Sequence, residues 1–133
     1  MKTDKAPEPV GSYPHARRVG NLLFLSGVGP RKPGTKVIPG VMVDGQGNAV
    51  GHDIETQCHS VFENVKIILE ASGSRWENLV DVTVFLTNMQ RDFDTYNRIY
   101  AEYFKDNQPC RTTVEISALP TPIAIELKCI ATI

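Results

Sequence analysis

The sequence predicts an α+β domain in which two helices cover one face of a single mixed β-sheet. Apolar residues alternate at period two in two segments, Val80 to Thr87 and Ile123 to Ile133, as half-buried strands do. They recur at helical spacing in two others, from Ile54 and from Phe93. The resulting order is β-hairpin, long loop, α, β, α, β, β, with two helices of similar length for one sheet.

Taken in order, residues 1–10 are polar and proline-bearing and read as a flexible arm. Ala16–Val19 and Leu22–Ser26 flank Gly20-Asn21, a tight hairpin turn. Residues 28–51 form a long Gly- and Pro-rich loop, with room for a small hairpin between Val41–Val43 and Ala49–Val50. A structured loop of this length is more often functional than idle. Asp53 suits a helix N-cap. Ile54, Cys58, Val61, Val65, Ile68 and Leu69 then mark one helical face, and Gly73 closes the helix. Ser74 to Glu77 has the pattern of a capping box.

In the next strand Val80, Val82, Val84 and Leu86 are expected to point inward. Phe93, Tyr96, Tyr100, Tyr103 and Phe104 form an aromatic helical stripe, read as core packing. Pro109 ends that segment, Arg111–Ile116 is rich in β-branched residues, and the final strand puts Glu126 and Lys128 opposite its apolar face. Val82, Val84, Leu86, Val114, Ile116, Ile125 and Leu127 are too many apolar strand residues for a sheet with one solvated face. A second face packed on other subunits, in a ring with a site at each junction, accommodates them.

At 133 residues the chain is one domain, 1–133. Its 41% hydrophobic and 22% charged residues are ordinary for a globular protein, and its net charge is −1 with the signs interspersed. No basic block points to nucleic acid or an anionic membrane, and no apolar run is long enough for a membrane span. Met1 to Gly11 does not read as a secretory signal. The three cysteines, Cys58, Cys110 and Cys129, are odd in number and widely spaced, so the expected compartment is the reducing cytoplasm.

Among chemical motifs, His15, His52 and His59 are scattered, and no HxxxH, CxxC or HxE spacing suggests a metal. There is no GxGxxG, GxxxxGK[ST] or GxSxG, and Cys110 has no histidine near it in sequence to act as a base. What remains is Arg111, opening one strand, and Glu126, a charge among apolar neighbours in another. A structural reading pairs Glu126 with Arg111, Lys128 or another subunit. A functional reading gives Arg111 a fork for a substrate carboxylate and gives Glu126 a water or a proton to handle.

Several segments, in this order, carry a family resemblance. They are Gly11-Ser12-Tyr13, Val19 through Gly27, Asn64, Glu70-Ala71-Ser72-Gly73, Asp81 through Leu86, and Asp92-Phe93 with Tyr96-Asn97 and Tyr100. Pro109-Cys110-Arg111-Thr112, Leu119-Pro120 and Ile125-Glu126 complete the set. Over nearly its whole length the chain resembles the Rid (reactive intermediate/imine deaminase) family. The resemblance implies a chorismate-mutase-like α+β fold and a homotrimer with clefts between subunits, with pairing of trimers into hexamers left open. It also implies no metal or organic cofactor. By the same resemblance Arg111 binds the substrate carboxylate and Glu126 positions the water, while Tyr13, Ser26 and Asn97 line the cleft.

The chain departs from the common family pattern at Val28, at Thr113 and in its longer loop. With Arg111 through Val114 and Pro120 through Cys129, these features are most similar to the 2-aminomuconate deaminase branch. That implies a small dicarboxylate substrate, hydrolysed to 4-oxalocrotonate and ammonia, and hence a second cation. Arg18 is the expected one, with Arg17, Arg31, Lys32 and His15 as alternatives. Two rival expectations are a general 2-aminoacrylate deaminase and a non-catalytic ligand-binding or chaperone-like trimer.

Overall fold

The computed structural model describes residues 1–35 and 37–133. A turn at Gly20, whose φ of 60° suits a residue without a β-carbon, joins β1 (Ala16–Val19) to β2 (Leu22–Leu25). The loop that follows contains the expected small hairpin, β3 (Val41–Val43) with β4 (Ala49–His52). Asp53 caps α1 (Ile54–Ala71), accepting from the Thr56 N–H at 3.5 Å and the Thr56 hydroxyl at 2.7 Å. Then come β5 (Leu79–Leu86), α2 (Met89–Tyr103), β6 (Cys110–Glu115) and β7 (Ile125–Thr132).

The main sheet has the order β1-β2-β7-β5-β6. β5 and β6 are parallel and are joined through α2, the kind of crossover that parallel neighbours require; the other pairs are antiparallel. Both helices lie on one face, as the sequence predicts. Under them Val82, Val84 and Leu86 stand level with Cys129, Leu127 and Ile125, and all six are fully buried. Phe62 of α1 packs against the rings of Trp76, Tyr100, Tyr103 and Phe104, which makes the aromatic stripe core.

The other sheet face is apolar through only one of the residues expected, Val114, together with others. Val82, Val84, Leu86, Ile125 and Leu127 all belong to the helix-covered side. The register instead puts Phe24, Ile130, Phe85 and Val114 on the open face, each half-buried in the single chain.

Two local expectations are corrected. Val80 is 41% exposed, because a register shift between Leu79 and Asp81 inserts an extra residue and turns it outward. The capping box at Ser74 does not form. The Ser74 hydroxyl donates to the Thr132 carbonyl at 2.7 Å, and the short 3₁₀ turn Trp76–Asn78 begins after Arg75 without a side-chain cap.

Residues 1–10, expected as a flexible arm, lie against β1. The N-terminal amine donates to the Ala16 carbonyl at 2.6 Å and the Thr3 N–H to His15 Nδ1 at 3.2 Å, while Ala6 is buried. Backbone groups hold this segment, and its composition gives no sign of them. Among the described residues no helix is long and apolar enough to cross a membrane.

Candidate active site

Glu126 sits in the middle of β7 on the open sheet face, level with Phe85 of β5. It is half-buried, and burial raises its carboxyl above the usual carboxylate range. Among the described residues it has no ion pair within 4.0 Å. Lys128, two positions on, gives its ammonium to the Leu25 carbonyl instead.

The backbone after Ser26 runs beside Glu126. Val28 exchanges both of its backbone hydrogen bonds with Leu127, at 2.8 and 2.9 Å. Gly27 therefore faces the carboxylate so closely that a β-carbon there would lie 2.9 Å from Oε2. The segment beyond is fixed by Asn64 of α1, which is 3% exposed. Its amide donates to the carbonyls of Gly29 (2.9 Å) and Arg31 (2.7 Å). These constraints shape a cleft lined by Glu126, Gly27, Tyr13, Arg31 and Thr121 among others.

Of the residues expected here, Tyr13 lines the cleft, its hydroxyl accepting from the Val10 N–H at 3.2 Å. Ser26 lines the adjoining recess, but its hydroxyl donates to the Pro14 carbonyl at 2.7 Å, which holds the chain carrying Tyr13.

Arg111 is elsewhere. It stands level with Val82 and so shares the helix-side face, at the end of edge strand β6. Its guanidinium lies over the rings of Tyr100 (4.8 Å) and Tyr96 (5.4 Å), and its Nη1 donates to Asn97 Oδ1 at 2.8 Å. The Tyr96 hydroxyl bonds Thr113 at 2.8 Å. The Tyr100 hydroxyl is buried with no partner among the described residues, and desolvation raises both phenols. Asn97, Tyr100 and Arg111 line a shallow depression that also includes Lys105.

Within one chain Arg111 and Glu126 therefore lie on opposite faces of the sheet, two strands apart, and do not pair. Arg18 reaches neither. It is level with buried Leu23, on the face away from Glu126, and its Nε donates to the Gly20 carbonyl at 2.9 Å. His15 is 6% exposed and has both ring nitrogens engaged. Its Nδ1 accepts from Thr3, so its Nε2 carries the hydrogen that meets the Pro7 carbonyl at 2.8 Å.

The sequence reading missed two contributors. Gly27 is required by its closeness to Glu126, and Tyr96 and Tyr100 serve as the platform beneath Arg111. Arg111 at i, with aromatics on the preceding helix, was the available signal for the platform. The cysteines are all free, and burial pushes the Cys58 and Cys129 thiols up to about 12. Among the described residues no group of three or more His, Cys, Asp or Glu could hold a metal ion.

The family model described as Endoribonuclease L-PSP matches residues 3–133. A RutC family protein of Pyrococcus horikoshii is 41% identical over 129 residues, 97% of this chain and 93% of the relative. The chloroplastic Reactive Intermediate Deaminase A of Arabidopsis thaliana is 38% identical over 133 residues, all of this chain and 65% of the relative. Among solved structures, RidA from the Antarctic bacterium Psychrobacter sp. PAMC 21119 superposes with a TM-score of 0.85 at 32% identity, over 100% of this chain and 98% of that one. The Escherichia coli TdcF structure with bound serine also gives 0.85, at 30% identity, over 100% and 97%.

Proposed function

This chain belongs to the Rid family, the family of the Endoribonuclease L-PSP model, and from that premise we propose that it is a cofactor-free hydrolytic deaminase of enamine and imine carboxylates, with 2-aminomuconate as substrate. The observation that carries the reading is Glu126: a half-buried carboxylate with no ion-pair partner among the described residues, raised by desolvation, in a cleft. Such a group holds a proton more readily than an ordinary carboxylate, which suits it to proton exchange with a water or the substrate.

Arg111 receives the carboxylate next to the amino-bearing carbon. Its fork is already oriented by Asn97 and by the rings beneath it. Protonation of the conjugated chain converts the enamine to the imine. Glu126 orients a water and takes a proton from it as the oxygen attacks the imine carbon. Return of that proton to nitrogen gives the carbinolamine; transfer of its hydroxyl proton to nitrogen through Glu126, as the C–N bond breaks, releases ammonia and leaves the 2-oxo diacid, 4-oxalocrotonate. The imine is already electrophilic, so positioning and proton transfer suffice.

Arg111 and Glu126 act on one molecule only if the site forms between copies. The apolar open face, with Phe24, Phe85, Val114 and Ile130, supports a closed homotrimeric ring with one site at each junction. A reducing cytoplasmic setting fits the three free cysteines. The interspersed charges and net charge of −1 offer no track for an RNA backbone, which favours a small carboxylate over the polymer named in the family description.

The test is ammonia release with freshly generated 2-aminomuconate, with 2-aminoacrylate as competitor. Fast turnover of the diacid, lost in Arg111→Ala, supports the reading. Turnover of 2-aminoacrylate alone moves the protein to general imine housekeeping, the activity suggested by the name of the Arabidopsis relative. Serine bound to the solved TdcF favours a ligand-binding role as the second reading; turnover of neither compound supports it.

A further inference from the structure

We infer that Arg31 is the specificity-determining cation of this site, binding the far carboxylate of a dicarboxylate; this rests on the deaminase reading for its orientation. The first carboxylate is at Arg111 and the reacting carbon is beside Glu126. The rest of the substrate is then received by the cleft that Glu126 lines. Among the described residues lining that cleft and its adjoining recess, Arg31 is the only lysine or arginine, and it borders both.

Three other cations are placed differently. Arg18 is spent on the hairpin turn, Lys128 on the Leu25 carbonyl, and Lys105 lines the Arg111 depression and not this cleft.

Arg31 is also built to stay in place. Buried Asn64 holds its carbonyl at 2.7 Å. Its Nη2 donates to the Glu8 carbonyl, so the docked N-terminal segment aims the guanidinium. It makes no ion pair with Glu126 within 4.0 Å, and a guanidinium has five N–H donors, so most of its fork remains for a carboxylate. A monocarboxylate substrate has no use for such a group.

The experiment compares binding of two unreactive probes, muconate (a dienedioate) and sorbate (the matching dienoate), to the parent, Arg31→Gln, Arg31→Lys and Lys105→Gln. The expected result is a preference for muconate in the parent that falls roughly 10- to 100-fold in Arg31→Gln, the range for one charge-assisted pair. Arg31→Lys should recover part of it and Lys105→Gln should retain it. An unchanged preference in Arg31→Gln, or its loss in Lys105→Gln instead, overturns the assignment. Because the probes do not react, this outcome is separate from the deaminase reading. A parent that prefers muconate through Arg31 but releases no ammonia from 2-aminomuconate keeps this inference and loses that reading. A parent that turns over the diacid with Arg31 irrelevant to muconate does the reverse.

Discussion

Gly27 lies against the Glu126 carboxylate with no room for a side chain between them: a β-carbon at position 27 would sit 2.9 Å from Oε2 and 3.0 Å from Cδ. Gly27→Ala must therefore move Glu126, while the Val28–Leu127 pairing holds the backbone. The expected outcome is a fall in kcat of roughly 10-fold or more, the usual scale for a misplaced general base. The loss of stability should stay near 1 kcal/mol. Steady-state kinetics beside a urea melt check it; a parent-like kcat would show that the carboxylate's position is not critical.

Among the described residues Arg111 has one side-chain hydrogen-bond partner by geometry, Asn97. Asn97→Ala leaves the stacking on Tyr96 and Tyr100 but frees the fork to rotate. KM should rise roughly 5- to 10-fold, in line with about 1 kcal/mol for one hydrogen bond to a charged group, with a smaller change in kcat. Equal losses in both would point to a role beyond carboxylate binding.

Burial raises the Glu126 carboxyl above its ordinary 4.5, so the folded protein holds this proton at pH values where the unfolded chain has lost it. Stability from this group is then fully present below 4.5 and declines as pH rises from there through the folded value. Glu126→Gln removes the decline, so its stability relative to the parent should increase across that window. In the parent, the acidic limb of kcat/KM should fall above pH 4.5. Melts and rates measured between pH 4 and 8 check both; a limb at or below 4.5 would contradict the raised value.

The Tyr96 hydroxyl, buried against α1 and the sheet, has Thr113 as its partner at 2.8 Å. Thr113→Val keeps the shape and orphans that hydroxyl, at a cost of about 1–3 kcal/mol, measurable by denaturant unfolding. A neutral substitution would mean that Tyr96 finds another partner.

The parity of each strand was legible in the sequence, and the pairing between strands was not. Alternation correctly put Glu126 and Lys128 opposite Ile125, Leu127 and Cys129. It failed at Val80, because a bulge is a property of two strands together. For the same reason the faces of Arg111 and Glu126 were beyond sequence reasoning: each follows from its register against β5, fixed at Val82 for one and Phe85 for the other. The helices were legible from their caps and apolar spacing, Asp53 and Gly73 above all. Arg18 looked available because its tether is a backbone carbonyl two residues away, which composition does not reveal.

If Arg111 of one copy works with Glu126 of another, variants of the two residues complement each other. Arg111→Ala and Glu126→Gln should each be inactive alone. Co-expressed in equal amounts, they should form mixed rings in which a junction between an intact Arg111 and an intact Glu126 is restored. For random trimers this returns about a quarter of the parent's ammonia-releasing activity. Mixed assemblies with no recovered activity would contradict a shared site and place both residues' work within single chains.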